Sequence, residues 1–415
     1  MSETIGVQPW MKLPATQAVM AALAAKGGPD CARFVGGCVR NTLMKRPIDD
    51  VDIATTLTPD EVTEALEAAG IRAVPTGVDH GTVTAISNHR PYEITTLRRD
   101  VATDGRRAVV AFTTDWAEDA QRRDFRLNAL YCDAEGTVHD PVGGIEDARA
   151  GRIVFVGDPD TRIREDHLRI LRFFRFLAWY GRGEPDRAAL EACERLRDLL
   201  TDLAAERVQK ELLKLLAADD PRPAVRLMAA TGVLQTLLPQ AGSLARFEQL
   251  VDIETDQLFE TDAELRLATL LPQDPFAVGE TAEALRLSNA QRERLMAAAG
   301  DEPKLVSWMS PREARRAVYR LGPQTFRDRV KLAWAASPKA SATSQWRALL
   351  AVGQTWTAPT LPLTGEEVIA AGVPKGPLVG EVLREVESWW VENDFIDDKL
   401  SIVERLKAVA QGMAY

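Results

Sequence analysis

The sequence predicts an α+β protein, with an N-terminal head built on a mixed β-sheet followed by an all-helical neck, body and tail. Three observations predict it. Short β-branched segments separated by turn residues occupy the first third, at 34–35, 51–55, 82–86, 92–96 and 130–132. From about Thr161 the pattern changes to Leu/Ala/Arg stretches with helical spacing, and no convincing strand returns. Pro221, Pro239, Pro272, Pro311 and Pro323 then divide those stretches into separate helices.

At 415 residues the chain has room for two to four domains. The expected division is head 1–157, neck 158–220, body 221–300 and tail 301–415. Hydrophobic residues at 46% and charged residues at 27% exclude a disordered chain. The net charge of -10, taken alone, argues against a nucleic-acid partner. Cys31, Cys38, Cys132 and Cys193 are widely spaced, which suggests neither disulfides nor structural zinc and fits a cytoplasmic protein. No cationic and apolar leader is visible. The longest uncharged run, Leu227 to Ala245, is broken by Gly232, Pro239 and Gly242, so no membrane association is expected. No protein partner is evident.

In the head, Phe34 and Val35 run into Gly36-Gly37 and then Arg40-Asn41. A strand, a Gly-Gly turn and a helix in that order let backbone N–H groups approach a phosphate, and Arg40 adds a cation. The same pattern also serves as a plain turn. Next, in Asp49-Asp50-Val51-Asp52-Ile53, alternation on a strand puts Asp50 and Asp52 on one face and Asp49 on the other. Two carboxylates at one strand end suit a divalent cation, with Mg²⁺ and nucleotide phosphates the natural occupants. A solvated acidic strand end is the alternative. Glu93, between apolar neighbours on a later strand, is a candidate third carboxylate or simply an exposed strand residue. Arg122-Arg123-Asp124, with Asn128, suits either a triphosphate and ribose clamp or a buried ion-pair network.

GGCVRN from Gly36, IDDVDIAT from Ile48, RRDFRLNAL from Arg122, REDHLRILRFFRF from Arg164 and RVQKELL from Arg207 follow in order over roughly 180 residues. This set resembles the class II tRNA nucleotidyltransferases, the CCA-adding enzymes, and the related bacterial poly(A) polymerases. The resemblance implies a polymerase-beta-like nucleotidyltransferase head, with CTP and ATP as substrates and tRNA as partner. It matches Asp50 and Asp52 to the metal-binding, catalytic pair, and Gly37 and Arg40 to the nucleotide contact. Arg122, Arg123 and Asp124 match the ribose and triphosphate contacts. Arg207 and Glu211 match a motif that braces the template helix. One position departs: the family usually carries Asp where this chain has Asn41. A neutral side chain there implies a less firmly held Arg40.

Asp166 and Arg169, spaced i, i+3, are expected on one face of a helix. Cytosine and adenine each present an amino donor beside a ring-nitrogen acceptor, which an Asp acceptor and an Arg donor complement; uracil and guanine mismatch both. The resemblance likewise implies that this pair serves as a protein template. Arg172 and Arg175 continue at three-residue steps toward the nucleotide or the RNA end; the alternative is an Arg-rich helix bonded to Glu165 and Asp166.

The charged stretch 97–107 lies where the family carries a flexible loop that reshapes the pocket from C to A, which favours CCA addition. The basic cluster that poly(A) polymerases carry soon after the paired carboxylates is absent from 74–83. The four histidines, His80, His89, His139 and His167, leave the helical half without the residues of an HD phosphohydrolase. Poly(A) addition is the second reading, and a non-catalytic RNA-binding relative a third. Residues 301–350 hold 10 basic and 4 acidic side chains, while 251–264 hold six acidic and no basic ones. That segregation makes a phosphate-binding face credible despite the net charge; solvated helix faces are the alternative.

Overall fold

The computed structural model describes residues 3–77, 81–103, 108–338, 342–396 and 398–412. It divides into two compact units, Met1–Ala241 and Gly242–Tyr415.

The first unit carries ten strands among its described residues: β1 Glu3–Thr4, β2 Ala32–Val35, β3 Asp52–Thr55, β4 Arg72–Gly77, β5 Thr82–Ser87, β6 Arg90–Thr96, β7 Arg98–Thr103, β8 Ala108–Phe112, β9 Tyr131–Cys132 and β10 Thr137–His139. Eight form one sheet in the order β1-β10-β9-β2-β3-β6-β5-β4. Within it β3 pairs with β6 in parallel and the other neighbours run antiparallel, so the sheet is mixed as expected. β7 and β8 form a separate two-stranded sheet. The stretch read as a loop at 97–107 is therefore mainly a hairpin arm, and its 104–107 segment lies outside the described residues. Residues 78–80 of the stretch compared with poly(A) polymerases also lie outside them.

Helices α1 Pro14–Gly27, α2 Gly37–Leu43, α3 Pro59–Ala68, α4 Trp116–Gln121 and α5 Gly144–Ala150 accompany the sheet. Beyond it run α6 Pro159–Glu165, α7 Arg169–Tyr180, α8 Arg187–Arg195, α9 Ala205–Leu216, α10 Arg222–Ala230 and α11 Val233–Leu237. Phe125, Phe155, Phe173 and Phe176 are buried and in mutual ring contact, which fastens α7 onto the sheet-bearing half. Asp140, after His139, accepts from the backbone N–H groups of Gly143, Gly144 and Ile145, so its carboxylate caps the turn into α5.

The second unit is entirely helical among its described residues: α12 Ala245–Asp256, α13 Ala263–Leu270, α14 Pro275–Ala284, α15 Asn289–Ala299, α16 Pro311–Leu321, α17 Pro323–Ala335, α18 Thr343–Thr355, α19 Gly365–Ala370, α20 Pro377–Glu392 and α21 Lys399–Gly412. Pro311 and Pro323 stand at helix starts, where the missing N–H costs nothing. No helix among the described residues is long and apolar enough to cross a membrane.

The charge segregation looks different in three dimensions. Arg315 pairs with Asp394, Arg316 donates to the Val391 carbonyl, and buried Arg329 donates to the carbonyls of Glu302 and Pro303. On the acidic side, Glu254 pairs with buried Arg266, and Asp262 and Glu264 pair with Arg294. Much of each run thus serves internal bonding, and a count along the chain overstates the free basic surface.

Candidate active site

Pairing of β2 with β3 runs from Ala32↔Thr55 to Val35↔Asp52 and stops where Gly36, at φ 69°, turns the chain into α2. Only a residue without a Cβ tolerates that conformation cheaply. Lacking a partner beyond Val35, β3 begins at Asp52. Asp49 and Asp50 therefore lie in the loop before the strand, and alternation along one strand is not what relates Asp50 to Asp52.

On its other side Asp52 is in register with Glu93 of β6, so the two carboxylates sit on neighbouring strands on one face. Burial pushes the Asp52 carboxyl up to about 6, and the negative charges of Glu93 and Asp50 add to the effect. Asp49 is exposed and has no part in that shift. No three His, Cys, Asp or Glu side chains among the described residues are drawn together tightly enough to hold an ion. A partly buried carboxylate crowded by two others is nevertheless the donor chemistry that fits a divalent cation.

Arg40 and Arg123 bring cations to this corner, and both offset the Asp52 shift. An Arg123 guanidinium nitrogen stands 4.0 Å from where a Cβ on Gly36 would lie. Arg40 is buried and donates to Asn128 Oδ1 at 2.5 Å, to Asn41 Oδ1 at 2.9 and 3.1 Å, and to the Tyr180 hydroxyl at 2.8 Å. Asn41 thus offers Arg40 neutral hydrogen bonds, as the sequence predicts, and Asn128 and Tyr180 add further ones. The Asn41 amide also donates to the Pro47 carbonyl at 2.7 Å, a bond no carboxylate can make, and so ties Arg40 to the loop that carries Asp50.

Arg122 and Arg123 converge on Asp119, which is 1% exposed. Arg122 Nε donates at 2.8 Å, Arg123 Nη2 at 2.9 Å, the Tyr131 hydroxyl at 2.7 Å and the Arg98 backbone N–H at 3.3 Å. Burial alone would raise the Asp119 carboxyl, but the two guanidinium groups and Tyr131 hold it down at about 2. Asp124 accepts from Arg172 Nε at 2.8 Å, Asn128 Nδ2 at 3.0 Å and its neighbour's N–H at 2.8 Å. Burial opposes its charge, yet Arg172 and these bonds keep it well below the usual carboxylate range. The buried ion-pair network given as the alternative is thus present. Sequence reasoning misses Asp119, although its spacing of three and four residues before Arg122 and Arg123 is a visible signal.

The expectation that Asp166 and Arg169 share a helical face is corrected. The helix breaks at Asp166, which has φ -149° and ψ 104°, and α7 starts only at Arg169. The two side chains therefore do not share a helical face. Asp166 accepts from Arg207 at 3.1 Å. Arg169, 9% exposed, donates to Glu165 at 2.7 Å and to the carbonyls of Arg162 and Arg122 at 2.8 and 3.1 Å. Arg162 bonds to the same Glu165 and to the Arg122 and Arg123 carbonyls, a second cross-link that sequence reasoning misses. Further along α7, Arg172 goes to Asp124 and Arg175 to Glu211 at 2.5 Å; among the described residues neither forms an ion pair with Glu165 or Asp166. Glu165, Arg207 and Glu211 are each bonded to a different arginine or carboxylate around α7.

Residues 32–154 match the family model described as "Poly A polymerase head domain", and 184–244 match "Probable RNA and SrmB- binding site of polymerase A". The chain is 32% identical over 392 residues to the Homo sapiens protein "CCA tRNA nucleotidyltransferase 1, mitochondrial", covering 90% of this chain and 86% of that one. This chain belongs to the class II CCA-adding enzyme and poly(A) polymerase family. A bacterial CCA-adding enzyme, from Levilactobacillus brevis, is 32% identical over 389 residues, covering 90% of this chain and 92% of that enzyme. Among solved structures, the Bacillus stearothermophilus CCA-adding enzyme in complex with CTP superposes with a TM-score of 0.75 at 27% identity, over 97% of this chain and 99% of that one. Membership in this family accounts for the sheet-based head followed by helices.

Proposed function

We propose that this protein adds C, C and A to the 3′ end of tRNA from CTP and ATP, releasing pyrophosphate. The observation that carries the proposal is the convergence of Asp52, Glu93, Arg40 and Arg123 on the Gly36 turn, in a chain alike over nine-tenths of its length to CCA-adding enzymes. Asp50 and Asp52, with Glu93 beside them, would hold Mg²⁺, which supplies charge neutralisation for the triphosphate and favours ionisation of the attacking hydroxyl. Gly36 and Gly37 leave room for phosphate oxygens against the backbone, and Arg40, Arg122 and Arg123 balance their charge. Asp124 and Asn128, whose side-chain polar atoms are already engaged by Arg172, Arg40 and each other, would offer the ribose only their spare lone pairs and the second amide N–H. The helical body and tail, expected at 221–300 and 301–415, would contribute the tRNA-binding surface. A cytoplasmic location is part of this reading, supported by four free, buried cysteines.

Base choice rests on Asp166 and Arg169. Their bonds to Arg207 and Glu165 are exchanged for the base edge when CTP or ATP binds. Leaving two polar groups unpaired in a closed pocket costs about 1–3 kcal/mol each, enough to reject UTP and GTP without a nucleic-acid template. Arg169→Ala is therefore expected to raise UTP and GTP use relative to CTP by about tenfold or more. Unchanged selectivity ratios in single-nucleotide assays would remove the template role.

The decisive assay uses purified protein, Mg²⁺, tRNA lacking its 3′ end, and each labelled nucleotide singly and in pairs. Addition that stops after CCA supports the proposal. The head-domain match favours poly(A) addition as the second reading, and long A tails from ATP alone would establish it instead.

A further inference from the structure

Arg40 is 6% exposed, yet no carboxylate pairs with it among the described residues; its hydrogen bonds all go to neutral acceptors. Asp124 and Asp52 act on it only at longer range, and a guanidinium kept from water gains from direct contacts as well. Tyr180, the last residue of α7, supplies two: its hydroxyl accepts at 2.8 Å, and its ring face lies 4.0 Å from the guanidinium carbon. Phe176, one turn earlier, offers a second face at 5.3 Å. The Tyr180 ring also carries Arg46 at 5.2 Å, so two cations from the segment between β2 and β3 rest on one aromatic side chain.

We infer that Tyr180 is a positioning residue for substrate binding: its face and its hydroxyl hold Arg40 oriented toward the triphosphate without neutralising it. A carboxylate in the same place would bind Arg40 more tightly but would cancel the charge that attracts phosphate. An aromatic face and neutral oxygens orient the cation and leave it free to interact with an anion. The same helix begins at Arg169, so the base-reading end and the phosphate-side clamp are the two ends of one 12-residue rod. This inference rests on the assignment of Arg40 to the nucleotide site.

The test measures equilibrium dissociation constants for CTP and ATP, together with KM and kcat for incorporation, in the full chain carrying Tyr180→Leu or Tyr180→Phe. Tyr180→Leu removes both interactions and is expected to raise Kd and KM about tenfold, with kcat at saturation changed less than about threefold. Tyr180→Phe retains the face and is expected to raise both about threefold. A purely packing role would instead lower the melting temperature and active fraction while leaving the KM of the folded enzyme alone. Wild-type Kd and KM in a folded Tyr180→Leu protein would overturn the inference. Should that variant fail to fold, Tyr180→Phe decides, and unchanged Kd and KM in it would likewise overturn the inference. A wild-type protein that binds CTP and ATP but adds no CCA would sink the proposed function while the binding comparison still judges Tyr180.

Discussion

Asp52→Asn is expected to lower CTP and ATP incorporation by about a thousandfold or more, because the substitution removes the carboxylate at the centre of the acidic corner and several kcal/mol of transition-state stabilisation depend on cation placement there. The fold should survive, and the variant should even gain stability. In the folded protein the Asp52 carboxyl is raised from 3.8 to about 6, so between those values the folded state holds a proton that the unfolded state has released. Stability therefore falls as pH rises through that window, and above it the full penalty is present. A neutral amide in place of the carboxylate carries no such penalty. At pH 7.5 without divalent ions the variant should be more stable than the wild type by about 1–2 kcal/mol, and below pH 4 the two should converge. Mg²⁺ should raise the wild-type melting temperature above pH 6 and have little effect on the variant. Single-turnover incorporation and thermal melts across pH check both parts; activity within tenfold of wild type would remove Asp52 from the catalytic centre.

Asp119→Ala should be the most destabilising change in the head, at about 3–5 kcal/mol, because it strands two largely buried guanidinium groups and the Tyr131 hydroxyl together. Asp119 also accepts from the Arg98 backbone, so its loss frees the base of the β7–β8 hairpin from the arginines beside the Gly36 turn. Urea unfolding measures the first effect, and a loss below 1 kcal/mol would show that the network contributes little. The wild type has its own pH signature. With the Asp119 carboxyl held at about 2 against 3.8, its stabilisation is complete above the unfolded value and fades as pH falls toward 2. The alanine variant lacks that acid limb.

Much of the site is legible in the sequence because its chemistry is local. Gly36 at the end of β2, Asp52 on β3 and Glu93 on β6 follow from short apolar runs, turn residues and acidic positions that interrupt them. The helical character after α6 follows from spacing and proline punctuation in the same way. The errors share another cause. Alternation assigns Asp50 to a strand that reaches no further back than Asp52, because a strand extends only as far as its neighbour pairs with it, and β2 has already turned away. Asp166 and Arg169 have the spacing of helical neighbours, but the break at Asp166 is stabilised by Arg207, 41 residues away. The basic stretch 301–350 reads as open surface, yet Asp394 and the carbonyls at the end of α20 take up Arg315 and Arg316.

By itself, then, the sequence determined which reactive groups this protein possesses and the order of strands and helices that carries them, because hydrophobic period, turn chemistry and motif spacing act over a few residues. Only the tertiary structure decided which of those groups are free and which are bound to one another. Arg40 meets Tyr180 across 140 residues, Asp124 meets Arg172 across 48, and Arg175 meets Glu211 across 36. Such partners are chosen by packing. A buried charge must find a bond wherever the folded chain offers one, and that choice is not written at any spacing along the sequence.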